Sequence, residues 1–246
     1  MTTLDVRTLE EVALNAWPAL QTVSVGGWVF RISGGCTKRS NSVNALAPWS
    51  KFEEIVCEAE SFYARCDLPP IFRLSPLAPP ECDALLQDRG YTFFDQSLVL
   101  LAPIENARLP EQIEIRKSPS SDWLSSVADA NQISVDLRPV HEEIVHAIKM
   151  PAAFATVYQN GTAVGFGLAV RERGMVGLFD IVVSPRARGK GHGRAVTQAL
   201  MNWGQAGGAT QAYLQVHAQN SVARSLYASL GFEEVYSYHY RLPPKR

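Results

Sequence analysis

Between an apolar run (175–183) and a helix-like pattern (191–204), the chain reads Arg188-Gly189-Lys190-Gly191-His192-Gly193. Glycines at a strand-to-helix junction suit an anion. The first N–H groups of a helix lack intrahelical partners, and they sit at the positive end of its dipole. Glycine removes the Cβ atoms that would hold a ligand away. Successive N–H groups then form a concave anion site. Arg186, Arg188, Lys190 and Arg194 add positive charge around it. A diphosphate fits better than a carboxylate, because it offers more acceptor oxygens.

Further along, Asn220, Ala223 and Tyr227 are spaced three and four apart, so they share one face of a helix. Just before the loop, Asp180 stands in GLFDIVV, an acid inside an apolar strand. An unpaired buried charge is costly, so its placement asks for a reason. It reads either as a base or ammonium ligand, or as a carboxylate satisfied by backbone or arginine partners.

Three phosphate templates compete for the loop. A P-loop needs G-x-x-x-x-G-K-[ST], and no Gly-Lys here is followed by Ser or Thr. A dinucleotide fingerprint needs G-x-G-x-x-G near the first strand of its unit; from Gly189 the last position is Arg194, and the loop lies late in the chain. The pattern R-x-x-G-x-G after a buried strand fits through Arg188, Gly191 and Gly193.

In that setting, IVVSPRARGKGHGRAV resembles the acetyl-CoA-binding loop of the GCN5-related N-acetyltransferases (GNAT). LQVHAQNSVARSLYASLGF resembles that family's second motif, carried by Asn220, Ala223, Tyr227, Gly231 and Phe232. The resemblance covers roughly residues 112–246. GGWVFRISGGCTKRSNSVNAL is similar, less specifically, to the N-terminal region of two-lobed members.

The resemblance implies acetyl-CoA as co-substrate and a primary amine, small-molecule or peptide, as acceptor. It implies that N–H groups of Arg188, Gly189, Lys190, Gly191, His192 and Gly193 hold the pyrophosphate. Val183 N–H would pair with the pantetheine arm, which adds like a strand. Ile181 N–H would face the thioester oxygen. Asn220 would contact the pantetheine amide, small Ala223 would let CoA approach, and the Tyr227 hydroxyl would protonate the leaving sulfur. The alternative for Tyr227 is a core tyrosine. Asp180 is the first candidate base; His217, His141, Glu142 and Glu143 follow. No cysteine lies in the second half to carry an acetyl-enzyme, so the amine is expected to attack directly in a ternary complex. A non-catalytic acyl-CoA sensor and a transferase for larger acyl groups stand as alternatives.

These residues need a scaffold. Hydrophobic spacing predicts, in the second half, strand 113–116, helices near 120–130 and 139–149, and a hairpin (154–158, 163–170) across Asn160-Gly161. A strand buried on both faces (175–183), a helix (191–204), a strand (213–217), a helix (220–230) and a strand (235–242) follow. The first half predicts helix 4–16, strands 23–25 and 28–33, a helix over 50–66 with Ser50 as cap, strand 71–74, a helix opened by Pro79-Pro80, and strand 97–101. CTKRSNSV reads as a strand on which Thr37, Arg39 and Asn41 share a face, lining an acceptor groove or merely solvated. Residues 102–112 read as a linker.

Aligning Gly90-Tyr91 with Gly231-Phe232 places Leu85 on Leu226 and IFRL on AYLQ, while Asn220 falls on Pro79 and Tyr227 on Leu86. A duplication follows, whose first copy keeps the scaffold and loses the polar residues. The expected fold is α/β (α+β): a mixed, mostly antiparallel sheet flanked by helices, duplicated in two lobes, 1–104 degenerate and 112–246 catalytic.

Composition agrees with a packed globular chain: of 246 residues, 46% are hydrophobic and 19% charged. A formal net charge of -1 gives no push toward nucleic acid or anionic membrane. No apolar stretch nears the roughly 20 residues of a membrane span. The N-terminus has acids where a secretory signal needs a basic start, so a cytoplasmic location is expected. Cys36, Cys57, Cys66 and Cys82 form no metal-spaced cluster; no metal is expected, and all four read as reduced core thiols.

Overall fold

Asp5 opens the first helix, α1 (Val6–Ala16), by accepting the Arg7 N–H on its side chain. This computed structural model describes residues 5–105 and 112–244. The hairpin β1 (Gln21–Val25) and β2 (Trp28–Ile32) turns through Gly26-Gly27, both at positive φ. Then come β3 (Val43–Ala45), α2 (Phe52–Ala64), β4 (Phe72–Leu74), α3 (Glu81–Asp88) and β5 (Thr92–Pro103). The second half runs β6 (Ile113–Arg116), α4 (Ser121–Ala130), α5 (Arg138–Ala147), β7 (Ala152–Gln159), β8 (Thr162–Glu172) and β9 (Met175–Val183). It ends with α6 (His192–Ala206), β10 (Gln211–His217), α7 (Ser221–Ala228) and β11 (Glu233–Leu242). The β7–β8 turn is Asn160-Gly161, both at positive φ.

Eleven strands among the described residues form one sheet, ordered β1-β2-β3-β4-β11-β5-β10-β9-β8-β7-β6. Only β3–β4 and β9–β10 pair in parallel. The run β1-β2-β3-β4 repeats as β7-β8-β9-β10, with the same order and the same orientations. At the centre the closing strands change places. β5, from the first half, lies on β10; β11, from the second, lies on β4; and the two pair with each other.

Helices α1, α4 and α5 bury one apolar cluster against the sheet, with Trp17, Trp123, Ile144, Leu168 and Phe179 at its heart. Helix α6 covers the other face of the second half through Val196 and Leu200. Gly167 on β8 permits that closeness: a Cβ there would stand 2.5 Å from Val196 Cγ1. Helices α2 and α3 cover the first half around Trp28, Phe30, Phe72 and Leu86.

Some expectations need correction. CTKRSNSV is not a strand. Gly34 and Gly35 take positive φ, Thr37 has φ 61, and residues 38–40 form one 3-10 turn. Asn41, buried, ties the loop together, accepting the Ser33 and Gly35 N–H groups at 2.7 and 2.9 Å. Thr37, Arg39 and Asn41 therefore share no strand face. Ser50 is not the cap of α2: Lys51 holds that position without a side-chain bond. Residues 102 and 103 belong to β5 rather than to a linker, and 106–111 of that expected linker lie outside the described residues. Cys36 and Cys82 are buried, but Cys57 is exposed. No described helix is long and apolar enough to cross a membrane.

Candidate active site

Strands β9 and β10 pair only from Met175↔Gln211 to Leu178↔Leu214, and then part. The cause sits on β9. Its register with β8 shifts between Phe166 and Leu168, and Asp180 takes φ 47, a left-handed conformation uncommon for a non-glycine residue. The bulge bends β9 off its neighbour, so the strand is buried from Met175 to Phe179 and half-buried from Asp180 to Val183. The expectation of burial on both faces holds only up to the bulge. Beyond it, Ser184 N–H donates to Val164 O on β8 at 2.8 Å. Strand alternation then turns the N–H groups of Ile181 and Val183 the other way, into the gap beside β10.

Past β9, the glycine loop leads into α6, with Gly189 at φ 74 and Gly191 at φ 84. A Cβ at either would meet nothing within 4 Å, so glycine serves the backbone conformation there. No backbone N–H from Gly189 to Arg194 has a backbone acceptor among the described residues. Arg188 folds its side chain back onto Val183 O at 3.2 Å. The His192 Nε2 is buried without a partner. Gly193 lets α7 approach: a Cβ there would stand 3.3 Å from Leu226 Cδ2.

The first half offers the contrast. In its equivalent junction, the N–H groups of Leu46 and Ala47 donate to Gly27 O, and those of Trp49 and Ser50 to Gly26 O. That cradle is closed by its own hairpin. Leu86, aligned with Tyr227, is fully buried.

Asn220 caps α7, its Oδ1 accepting the Ala223 N–H at 3.1 Å. Ala223 is half-buried on the α6 side. Tyr227 is buried, its ring edge-on to Phe232 at 5.8 Å, and burial pushes its phenol up to about 12. The group thus stays protonated at neutral pH.

On the opposite side of the gap, Asp180 Oδ2 lies 3.2 Å from His141 Nε2. His141 is fully buried, and its Nδ1 has no partner. Nε2 is therefore the ring nitrogen that meets the Asp180 carboxylate. Burial, and then the Asp180 charge, raise the Cys36 thiol of the first half. His217 closes β10 but faces a different acid: its Nε2 is 2.6 Å from Asp95 Oδ1, while Lys38 Nζ is 2.8 Å from Asp95 Oδ2. Glu142 and Glu143 are exposed on α5 and are not drawn in with His141. Asp95 and Lys38 escaped the sequence reading. The signal was present, since FFDQS, like GLFDIVV, sets an acid after Phe in an apolar run. Among the described residues no His, Cys, Asp and Glu group is arranged to hold a metal ion.

The open donor row on the loop, the split strand edge and the protonated phenol suit a thioester ligand that ends in a diphosphate nucleotide. Comparison with known proteins identifies the family. Residues 3–241 match the family described as "Probable histone acetyltransferase Rv0428c C-terminal". The chain is 32% identical over 248 residues to the uncharacterized N-acetyltransferase YobR of Bacillus subtilis, covering 97% of this chain and 98% of that one. It is 24% identical to the probable histone acetyltransferase Rv0428c of Mycobacterium tuberculosis, over 94% of this chain and 71% of that one. Among solved structures, a GCN5-related N-acetyltransferase from Kribbella flavida superposes with TM-score 0.73 at 15% identity, over 100% of this chain and 98% of that one. The chain belongs to the GCN5-related N-acetyltransferase family and is an N-acetyltransferase.

Proposed function

We propose that this chain transfers the acetyl group of acetyl-CoA to a primary amine by direct attack within a ternary complex. The observation that carries this reading is the pairing of an open strand edge at Ile181–Val183 with a row of unpaired loop N–H groups. That geometry fits a pantetheine arm and its pyrophosphate.

The chain's residues then divide the work. The N–H groups from Gly189 to Gly193 hold the pyrophosphate, that of Arg188 being turned to Pro185 O, and Val183 N–H holds the pantetheine arm as an added strand would. Asn220 keeps its Oδ1 on the helix end, so its amide N–H₂ is the part that faces the arm. Ala223 keeps that side of α7 low. Ile181 N–H stabilises the developing oxyanion, an effect of about 3 kcal/mol where single donors have been removed elsewhere. Asp180 accepts a proton from the acceptor ammonium, and His141 orients it as a positioning residue. As the amine nitrogen bonds to the carbonyl carbon and the C–S bond breaks, Tyr227 gives its phenolic proton to the sulfur, and the second proton that the nitrogen sheds in becoming the amide restores the phenol. First-half strand β5 pairs with β10 along the gap, so residues 1–104 act as a lobe that completes the site of residues 112–246.

The test is thiol release from acetyl-CoA over a panel of amines, for wild type and Tyr227→Phe. The expected result is a fall in kcat of about a hundredfold or more with acetyl-CoA binding retained. Turnover unchanged in the variant removes Tyr227 as the acid; acetyl-CoA binding with no turnover on any amine favours a sensor.

A further inference from the structure

We propose that the acetyl acceptor is a small amine that also carries an acidic group, a carboxylate or a phosphate, and that Arg39 receives that group. This rests on the transferase reading above and narrows its acceptor.

Three guanidinium groups, Arg31, Arg39 and Arg73, gather between α1 and the sheet around a small cavity, with Glu10 the one carboxylate among its lining residues. Arg73 spends its fork on both Glu10 oxygens. Arg31 spends its donors on the carbonyls of Leu14, Trp17 and Arg39. Arg39 is left over. Its guanidinium carbon lies over the Trp17 ring, 5.2 Å from the centroid, and over the Phe179 ring at 5.5 Å. Its side chain has no hydrogen-bond or ion-pair partner among the described residues. Three cations against one anion leave an excess of positive charge in a poorly solvated place. That excess shows on Arg31, which burial and then Arg73 lower to about 9. Such an excess is stabilised by an incoming anion.

Placement ties this charge to the reaction. Phe179, under the Arg39 guanidinium, immediately precedes Asp180, and Tyr213 on β10 feels the Arg39 charge as well. Arg39 therefore sits where β9 and β10 part. It is half-buried, whereas Arg31 and Arg73 are sealed at 4% and 3% exposure. Its backbone is fixed: Arg31 Nη1 donates to Arg39 O at 2.6 Å, and Trp17 Nε1 donates to Thr37 Oγ1 at 3.2 Å. Other charges near the gap are committed. Lys38 and His217 hold Asp95, and Glu172 holds Asn15 and Arg173. The two rings hold the cation in place without taking its N–H groups, which stay available to a carboxylate or a phosphate. An acceptor with its ammonium on Asp180 and its acid on Arg39 would match both charges at once.

The experiment compares matched amines that differ only in the acidic group: β-alanine against propylamine, and phosphoethanolamine against ethanolamine. Thiol release from acetyl-CoA is followed for wild type, Arg39→Met and Arg39→Lys. The expected result is that wild type favours the acidic member of one pair by about tenfold or more in kcat/KM. The pair that responds identifies carboxylate or phosphate. The ratio should fall toward one in Arg39→Met and be kept only in part in Arg39→Lys, which retains the charge but not the fork. Ratios near one in wild type, or a ratio unmoved by Arg39→Met, overturn the proposal. Calorimetric titration of β-alanine and phosphoethanolamine separates the two readings. Arg39-dependent binding without turnover of any amine sinks the transferase reading and keeps the anion site; neither binding nor turnover sinks the anion site. Circular dichroism checks folding, and Arg39→Gln replaces Arg39→Met if that variant is unfolded.

Discussion

Asp180 holds a backbone conformation that costs a non-glycine residue about 1–2 kcal/mol. The bulge returns something for that strain: it splits β9 from β10 and turns a carboxylate toward the gap, where His141 meets it. Asp95 repeats the device at φ 50 beside His217. In the sequence both acids are legible as anomalies in apolar runs, but their φ values and partners are not, because each histidine comes from a distant element. If Asp180 takes the acceptor's proton, Asp180→Asn lowers kcat/KM about a hundredfold near pH 7. The deficit then shrinks as pH rises toward the amine's own pKa, since the amine arrives already neutral. A pH–rate profile for both proteins checks this; parallel profiles would assign Asp180 to structure alone.

Among the elements, the loop and α7 were the most legible, since their signals are local: glycine where φ is positive, Asn where a helix starts. CTKRSNSV was misread because alternation suggested a strand while Gly34-Gly35 imposed a turn. Strand β11 was read as a strand, yet its partners were hidden. Its Arg241 and His239 both bind Asp83 on α3, the side-chain distances lying between 2.6 and 2.8 Å. Hydrogen bonds from Arg241, with smaller help from His239, hold the Asp83 carboxyl down to about 2, against its ordinary 3.8. A depressed carboxyl stabilises the fold above its unfolded pKa and loses that contribution as pH falls through its folded one. The tie is therefore whole above about pH 4 and gone below about pH 2. Asp83 is half exposed to solvent, so the gain is modest, about 1 kcal/mol or less. Asp83→Asn should lower Tm by about 1–4 °C at pH 7, with the difference from wild type closing as pH approaches 2. Thermal melts across that range test the sign, and a gap that widens on acidification contradicts it.

For the whole molecule, the repeat at Gly90-Tyr91 and Gly231-Phe232 made a duplication legible, and the matching runs β1–β4 and β7–β10 bear out its scaffold. The exchange of closing strands was not legible, because strand pairing across more than a hundred residues leaves no local mark. Its consequence is mechanical. Without β11, β4 loses its inner neighbour; without β5, so does β10, the strand that borders the gap beside β9. Charge adds to this. Glu10 on α1 accepts from Arg73 on β4 and from Tyr236 on β11 at 2.6 Å. Burial alone would raise the Glu10 carboxyl; Arg73, above all, then Tyr236 and Arg31, bring it below its ordinary value. Removing one member of such a buried set costs about 3–5 kcal/mol, a large part of a typical domain's stability. Residues 112–246 expressed alone should therefore fail to fold, despite carrying both motifs, with broad amide signals and no cooperative melt. Residues 1–105 supplied in trans should restore a one-to-one complex that binds acetyl-CoA. A fragment 112–246 that melts cooperatively and turns over by itself would mean that β10 finds its edge partner elsewhere and that the exchange is dispensable.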